Sequence, residues 1–251
     1  MLCVCLLAAD LAGCRSEVVS ESLPDPYVSP FDWEQLVLDA DGHFTYFEDG
    51  EVRSRFGIDV SEHQHDIDWQ AVAADGVEFA MIRLGNRGAT EGALYLDDCF
   101  EANYEGALQA GILVGIYFFS QAINAEEARA EAQFVLTHLE GRRLDYPIAF
   151  DHEHVGANGR TYGLTGKEIT LCARAFCEVI EAAGYDTMLY GNRRDLFRLD
   201  IGFLDHYDLW YAEYDAYYPA LEHDFVIWQY TSHGSVAGIS TRVDLDIHFL
   251  P

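Results

Sequence analysis

The chain has 251 residues, half of them hydrophobic, enough to bury a barrel-sized core as one domain. Its 43 Asp and Glu outweigh 15 Lys and Arg, a formal charge of -28. That excess excludes the basic stripes by which nucleic-acid phosphates or anionic lipid surfaces are bound.

At the N-terminus an apolar stretch, Leu2 to Leu7, leads into Leu11-Ala12-Gly13-Cys14. Small residues before a cysteine resemble the lipobox of bacterial lipoproteins. The resemblance implies a signal over residues 1–14, lipid on Cys14, a polar tether over 15–42, and an extracytoplasmic protein held at the cell envelope by that lipid. Elsewhere no apolar run is long enough for a membrane helix. Cys3 and Cys5 would leave with the signal. On a helix, the spacing of Cys172 and Cys177 puts them beyond the roughly 7 Å that a disulfide tolerates, so they read as buried thiols.

Residues 43–55 predict a small hairpin, with Asp49-Gly50 at its turn. From residue 56 short apolar runs recur: Phe56 to Val60, Phe79 to Leu84, Ile112 to Phe119, Pro147 to Asp151, and Thr187 to Tyr190. Helical periods lie between them, among them Phe100 to Ala110, Ala125 to Leu139 and Lys167 to Ala183. Three further runs, Asp208 to Ala212, Phe225 to Tyr230 and Val243 to Phe249, stand too close together for full helices. The pattern predicts an α/β fold over 56–251: a TIM-like barrel of five βα units followed by three strands with short connections, its strands parallel.

Such barrels carry their chemistry at the C-terminal ends of the strands. The most informative end is the fourth, where Asp151 and Glu153 follow an apolar run. Alternate residues of a strand share a face, so the two carboxyls project together from backbones about 7 Å apart. Crowding and burial raise one pKa while the other acid stays charged, the arrangement used to cleave glycosidic bonds. The first strand ends in Asp59, the third carries Tyr117, and the fifth ends in Tyr190 and Asn192. Trp210 and Tyr211 close the sixth, Gln229 the seventh, and Asp244 opens the last. Acids and aromatics thus converge on one rim.

In this order, Gly57-Ile58-Asp59-Val60-Ser61 with Gln64, Ile67-Asp68-Trp69, Gly115-Ile116-Tyr117-Phe118-Phe119, Asp151-His152-Glu153, Trp228-Gln229-Tyr230 and Val243-Asp244 resemble glycoside hydrolase family 25, the lysozymes or N-acetylmuramidases. The resemblance runs from about residue 56 to 250 and implies hydrolysis, with retention, of the β-1,4 bond between N-acetylmuramic acid and N-acetylglucosamine in peptidoglycan. It implies Glu153 as general acid, Asp151 as the acid that steadies positive charge at the anomeric carbon, and Asp59 and Asp244 as further groove carboxylates. Tyr117, Tyr190, Asn192, Trp210, Tyr211 and Gln229 would contact sugar, and neither metal nor cofactor is called for. Three positions depart from the family pattern. His65 stands where Gly is common, Phe118 where His is common, and His152, expected to face away from the acids, where an apolar residue is usual.

Two other classes compete. A metal-dependent hydrolase would use Asp151-His152-Glu153-His154 and Asp59 with His63 and His65, but alternation turns the histidines away from the acids. A non-catalytic wall-binding lipoprotein would keep the aromatic groove and have no need of the acids.

Overall fold

The computed structural model of the chain describes residues 26–251. The proposed signal, the lipobox, Cys3, Cys5 and Cys14 lie outside the described residues.

The segment expected as tether through residue 42 takes regular structure from Trp33. A single 3-10 turn, Trp33–Gln35, leads into β1 (Leu36–Leu38), which pairs antiparallel with β2 (Phe44–Glu48); β2 pairs in turn with β3 (Glu51–Val52). Asp49 and Gly50 both have positive φ, 51° and 81°, as a tight Asp-Gly hairpin requires. Apolar contact is what draws the segment in: the Phe31 ring lies 4.4 Å from Phe249 and Trp33 stacks on Phe225.

The barrel follows. Its elements are β4 (Ser54–Val60), α1 (Trp69–Ala74), β5 (Phe79–Arg87), the short β6 (Leu94–Leu96), α2 (Phe100–Ala110), β7 (Leu113–Phe119), α3 (Ala125–Leu139) and β8 (Ile148–Asp151). Then come α4 (Gly166–Ala182), β9 (Thr187–Asn192), two single-turn helices α5 (Arg193–Leu196) and α6 (Ile201–Leu204), β10 (Asp208–Ala212), β11 (Ile227–Gly234) and β12 (Val243–Phe249). Helix ends follow local chemistry. Asn124 caps α3, Thr165 and Glu168 form a capping box on α4, and Gly111 ends α2 in the left-handed conformation.

Eight strands close in the order β4-β12-β11-β10-β9-β8-β7-β5, with β4 pairing β5. The expectation of an all-parallel barrel is corrected at one strand: β12 runs antiparallel to both β11 and β4. Only residues 235–242 separate β11 from β12. A parallel crossover needs roughly a dozen residues or more, so the chain turns back as a hairpin. Residues 213–226, between β10 and β11, are enough for a parallel crossover without a helix.

Inside, the end opposite the active rim is sealed by Phe79, Met81, Tyr146, Ala149, Met188 and Ile227, with Trp210 above them. Phe79 and Tyr146 stack at 4.7 Å, and the Tyr146 hydroxyl lies 2.8 Å from His248 Nδ1. Burial pushes the His248 imidazole down to about 4, so it is neutral there. Gly57 makes room for this layer, because a Cβ on it would enter the Phe79 ring. A larger apolar layer fills the space between strands and helices and contains Cys172 and Cys177, both buried free thiols.

Candidate active site

At the C-terminal rim of the parallel strands a cavity of about 670 Å3 opens, and among its lining residues are Asp59, Arg83, Tyr117, Asp151, Glu153, Tyr190, Trp210, Tyr214, Gln229 and Asp244. Asp244 reaches this rim because β12 is antiparallel: the start of that strand lies where its neighbours end, with Asp244 opposite Asp59. In a parallel β12 the same residue would sit at the sealed end.

The acids share little charge compensation. Asp151 is 3% exposed, and its Oδ1 has no hydrogen-bond partner among the described residues. Burial, then the charges of Glu153 and Asp195, raise the Asp151 carboxyl well above the usual range, while Arg83 opposes the shift. Glu153 is pushed up to about 7 by burial and by Asp195 and Asp244. Asp244 is raised to about 6 by burial. Asp59 and Asp246 are both raised well above the ordinary range by burial and by neighbouring acids. At neutral pH the Asp151–Glu153 pair therefore holds a proton. Arg83, anchored by Asp97 at 2.7 Å and Glu62 at 3.0 Å, favours the anion on Asp151.

Gln229 ties the floor together. Its Nε2 donates to Asp59 Oδ2 at 2.6 Å, and its Oε1 accepts the hydroxyls of Tyr190 (2.8 Å) and Tyr214 (2.7 Å). Trp210 lies beneath, its indole N–H donating to Asp246 Oδ1 at 2.7 Å and its ring edge-on to Tyr117 and Tyr190. Glu153 follows the end of β8, and its loop is pinned from outside. Gln121 Nε2 donates to the Glu153 carbonyl at 3.1 Å, and Gln121 Oε1 accepts from Thr161 at 3.0 Å. Beside Thr161, Arg160 grips both carboxylate oxygens of Glu127 on α3, at 2.7 and 2.8 Å.

The structure thus brings together Asp59, Asp151, Glu153, Asp244, Tyr117, Tyr190, Trp210 and Gln229. Two expected sugar contacts are placed elsewhere. Tyr211 alternates with Trp210, packs outward against Phe225 and donates its hydroxyl to Glu213, so it misses the main cavity. Asn192 caps α5 and bonds Asp195 through both ends of its amide. Both touch a smaller side cavity. His152 is buried on the outer side near Phe150, its Nε2 3.3 Å from the Ala122 carbonyl, and burial lowers its pKa. The four ligand-type residues 151–154 are therefore split between faces, and among the described residues no cluster of three His, Cys, Asp or Glu is placed to hold a metal ion.

Asp246, Tyr214, Arg83 and Asp195 belong to the site but are absent from the sequence reading. Asp246 had a signal, since it repeats two residues after Asp244 the spacing of Asp151 and Glu153. Asp195 reads locally as an acid in a helical first turn. His65 has φ 56° and ψ −140°, a conformation free of strain only for glycine, which accounts for the glycine common in the family at that place.

A closed barrel with buried, proton-sharing carboxylates at the C-terminal rim is the architecture of a glycoside hydrolase. The chain belongs to glycosyl hydrolases family 25, whose family model matches residues 58–239. It is 31% identical over 191 residues to the autolytic lysozyme of Clostridium acetobutylicum, covering 76% of this chain and 54% of that one. It is also 31% identical to lysozyme M1 of Streptomyces globisporus, covering 75% of this chain and 65% of that one. The chain therefore spans about half to two thirds of the length of these relatives. The solved bacterial lysozyme of Streptomyces coelicolor superposes with a TM-score of 0.64 at 27% identity, over 76% of this chain and 90% of that one.

Proposed function

We propose that the protein is a peptidoglycan muramidase, cleaving the β-1,4 bond between N-acetylmuramic acid and N-acetylglucosamine with retention. The observation that carries this reading is the Asp151–Glu153 pair, which projects into one cavity beside Arg83, with burial and neighbouring acids raising both carboxyls. Membership of the family and likeness to two lysozymes supply the substrate class.

Glu153, its pKa raised to about 7, carries the pair's proton in the reactive form and gives it to the bridging oxygen as the bond to the anomeric carbon breaks. The Asp151 anion, backed by Arg83, steadies the positive charge that develops at that carbon. Retention requires two successive displacements there. An oxygen nucleophile, either an enzyme carboxylate or the substrate's own acetamido oxygen, bonds to the anomeric carbon as the leaving sugar departs with the Glu153 proton; water then breaks that bond while its proton returns to Glu153. Tyr117, Tyr190 and Trp210 wall the sugar ring, while Asp59 and Asp244 set the acidity of the groove.

Glu153→Gln tests the reading. Release of reducing sugar from peptidoglycan should fall on the order of 10³-fold with the melting temperature kept. Turnover like the wild type would remove the assignment. Mass spectrometry of the digest should find reducing-end muramic acid; reducing-end glucosamine would overturn the bond assignment.

For location we propose an extracytoplasmic protein, lipid-anchored through Cys14 to a bacterial envelope. Among the described residues no helix is long and apolar enough to cross a membrane. Labelled palmitate should enter the full chain in a bacterial host and be lost in Cys14→Ser; equal labelling of both would sink the anchor.

A further inference from the structure

Beyond Glu153 the cleft continues into a side cavity of about 400 Å3, which shares Glu153, Tyr190 and Tyr214 with the main one. The two cavities use their cations differently. In the main cavity Arg83 is paired with Asp97 and Glu62, and Arg87 with Glu131. The side cavity holds Arg193 and Arg194, directly after β9, and among the described residues neither makes an ion pair. Arg193 is held in place: its guanidinium donates to the Ala220 carbonyl at 3.0 Å and lies over the Phe197 ring. Arg194 is exposed. Glu213, the acid on this wall, already accepts from the Tyr211 hydroxyl at 3.0 Å and the Ala220 backbone N–H at 2.7 Å.

In a chain of net charge -28, two adjacent guanidiniums left uncompensated at one end of an acidic cleft form a local sink for an anion. Neutral sugar rings offer them no charge. The short peptides that branch from peptidoglycan strands carry carboxylates, which a guanidinium fork binds through paired hydrogen bonds.

We propose that Arg194, with Arg193 behind it, binds a carboxylate of the peptide stem, so that the cleft prefers peptide-bearing strands to bare glycan. This rests on the muramidase reading. The test compares the full-length protein with Arg194→Gln on two substrates: intact soluble strands, and the same strands stripped of peptide by an amidase. The ratio of kcat/KM for intact over stripped strands should fall about fivefold, through KM, the size of one good rim ion pair. The preference of the unmodified protein should also shrink as salt rises. An unchanged ratio, or equal losses on both substrates, would overturn the proposal. Calorimetric binding of both strands to Glu153→Gln, with and without Arg194→Gln, reads the same ratio without cleavage. If the unmodified protein cuts neither strand, the muramidase reading fails while the binding ratio still decides this one.

Discussion

The two ends of the barrel are built from the same strands and have opposite physics. At the sealed end Phe79, Met81, Tyr146 and Met188 interlock, and His248 there is neutral and hydrogen-bonded to Tyr146. At the open end Asp59, Asp151, Glu153 and Asp244 line one cavity, and buried oxygens of Asp151 and of nearby Asp246 lack partners among the described residues. Apolar packing at one end stabilises the fold, and buried like charge at the other opposes it. The lesson is that the site is held against its own repulsion by packing further down the same strands, as Met188 lies two residues before Tyr190, Ile227 two before Gln229 and Ala149 two before Asp151.

The sharpest way to break this comparison is to remove Phe79. Phe79→Ala should lower stability by about 3–5 kcal/mol, read by urea unfolding, while the protein that remains folded keeps its kcat. Loss of kcat in the folded fraction would show that the two ends are not separable. Asp151→Asn should do the reverse. Activity should drop on the order of 10²–10³-fold while the melting temperature holds or rises, because a buried acid crowded by Glu153 and Asp195 is gone.

Titration sharpens the same contrast. The folded-state pKa values of Glu153, about 7, and Asp244, about 6, lie above the ordinary carboxylate values, so the native state holds protons that the unfolded chain releases. Their contribution to stability is therefore complete below about pH 4 and is lost as pH rises through 6 to 7. The melting temperature should fall between pH 5 and 8, and less steeply in Glu153→Gln. Likewise kcat/KM should drop about tenfold per unit well above pH 7, as Glu153 loses its proton. A flat profile to pH 9 would contradict the raised acid. The smallest effect concerns His65, next in the chain to Gln64 of the cavity lining. His65→Gly should gain about 1 kcal/mol by relieving its backbone, measured by thermal unfolding, with activity little changed.

Much of this was legible in the chain. The runs Phe100 to Ala110 and Ala125 to Leu139 form helices over those same spans, because 3.6-residue periodicity and end caps are local signals. The Asp151–Glu153 pair was legible for a similar reason: alternation along one strand needs no knowledge of the neighbours. Asp195 was not, since its closeness to both acids depends on where α5 packs. That Tyr211 lines the side cavity and not the main one was not legible either, because being next to Trp210 in sequence says nothing about which of the two faces the barrel interior.

By itself the sequence determined what one segment can decide, namely periodicity, caps, the same-face acids and the ordered motifs of the family. Tertiary structure alone decided that β12 runs backwards, which carries Asp244 to the active rim and buries Asp246 against Trp210. Strand direction is set by barrel closure and the reach of residues 235–242. Those are constraints between segments distant in the chain, which no local pattern encodes.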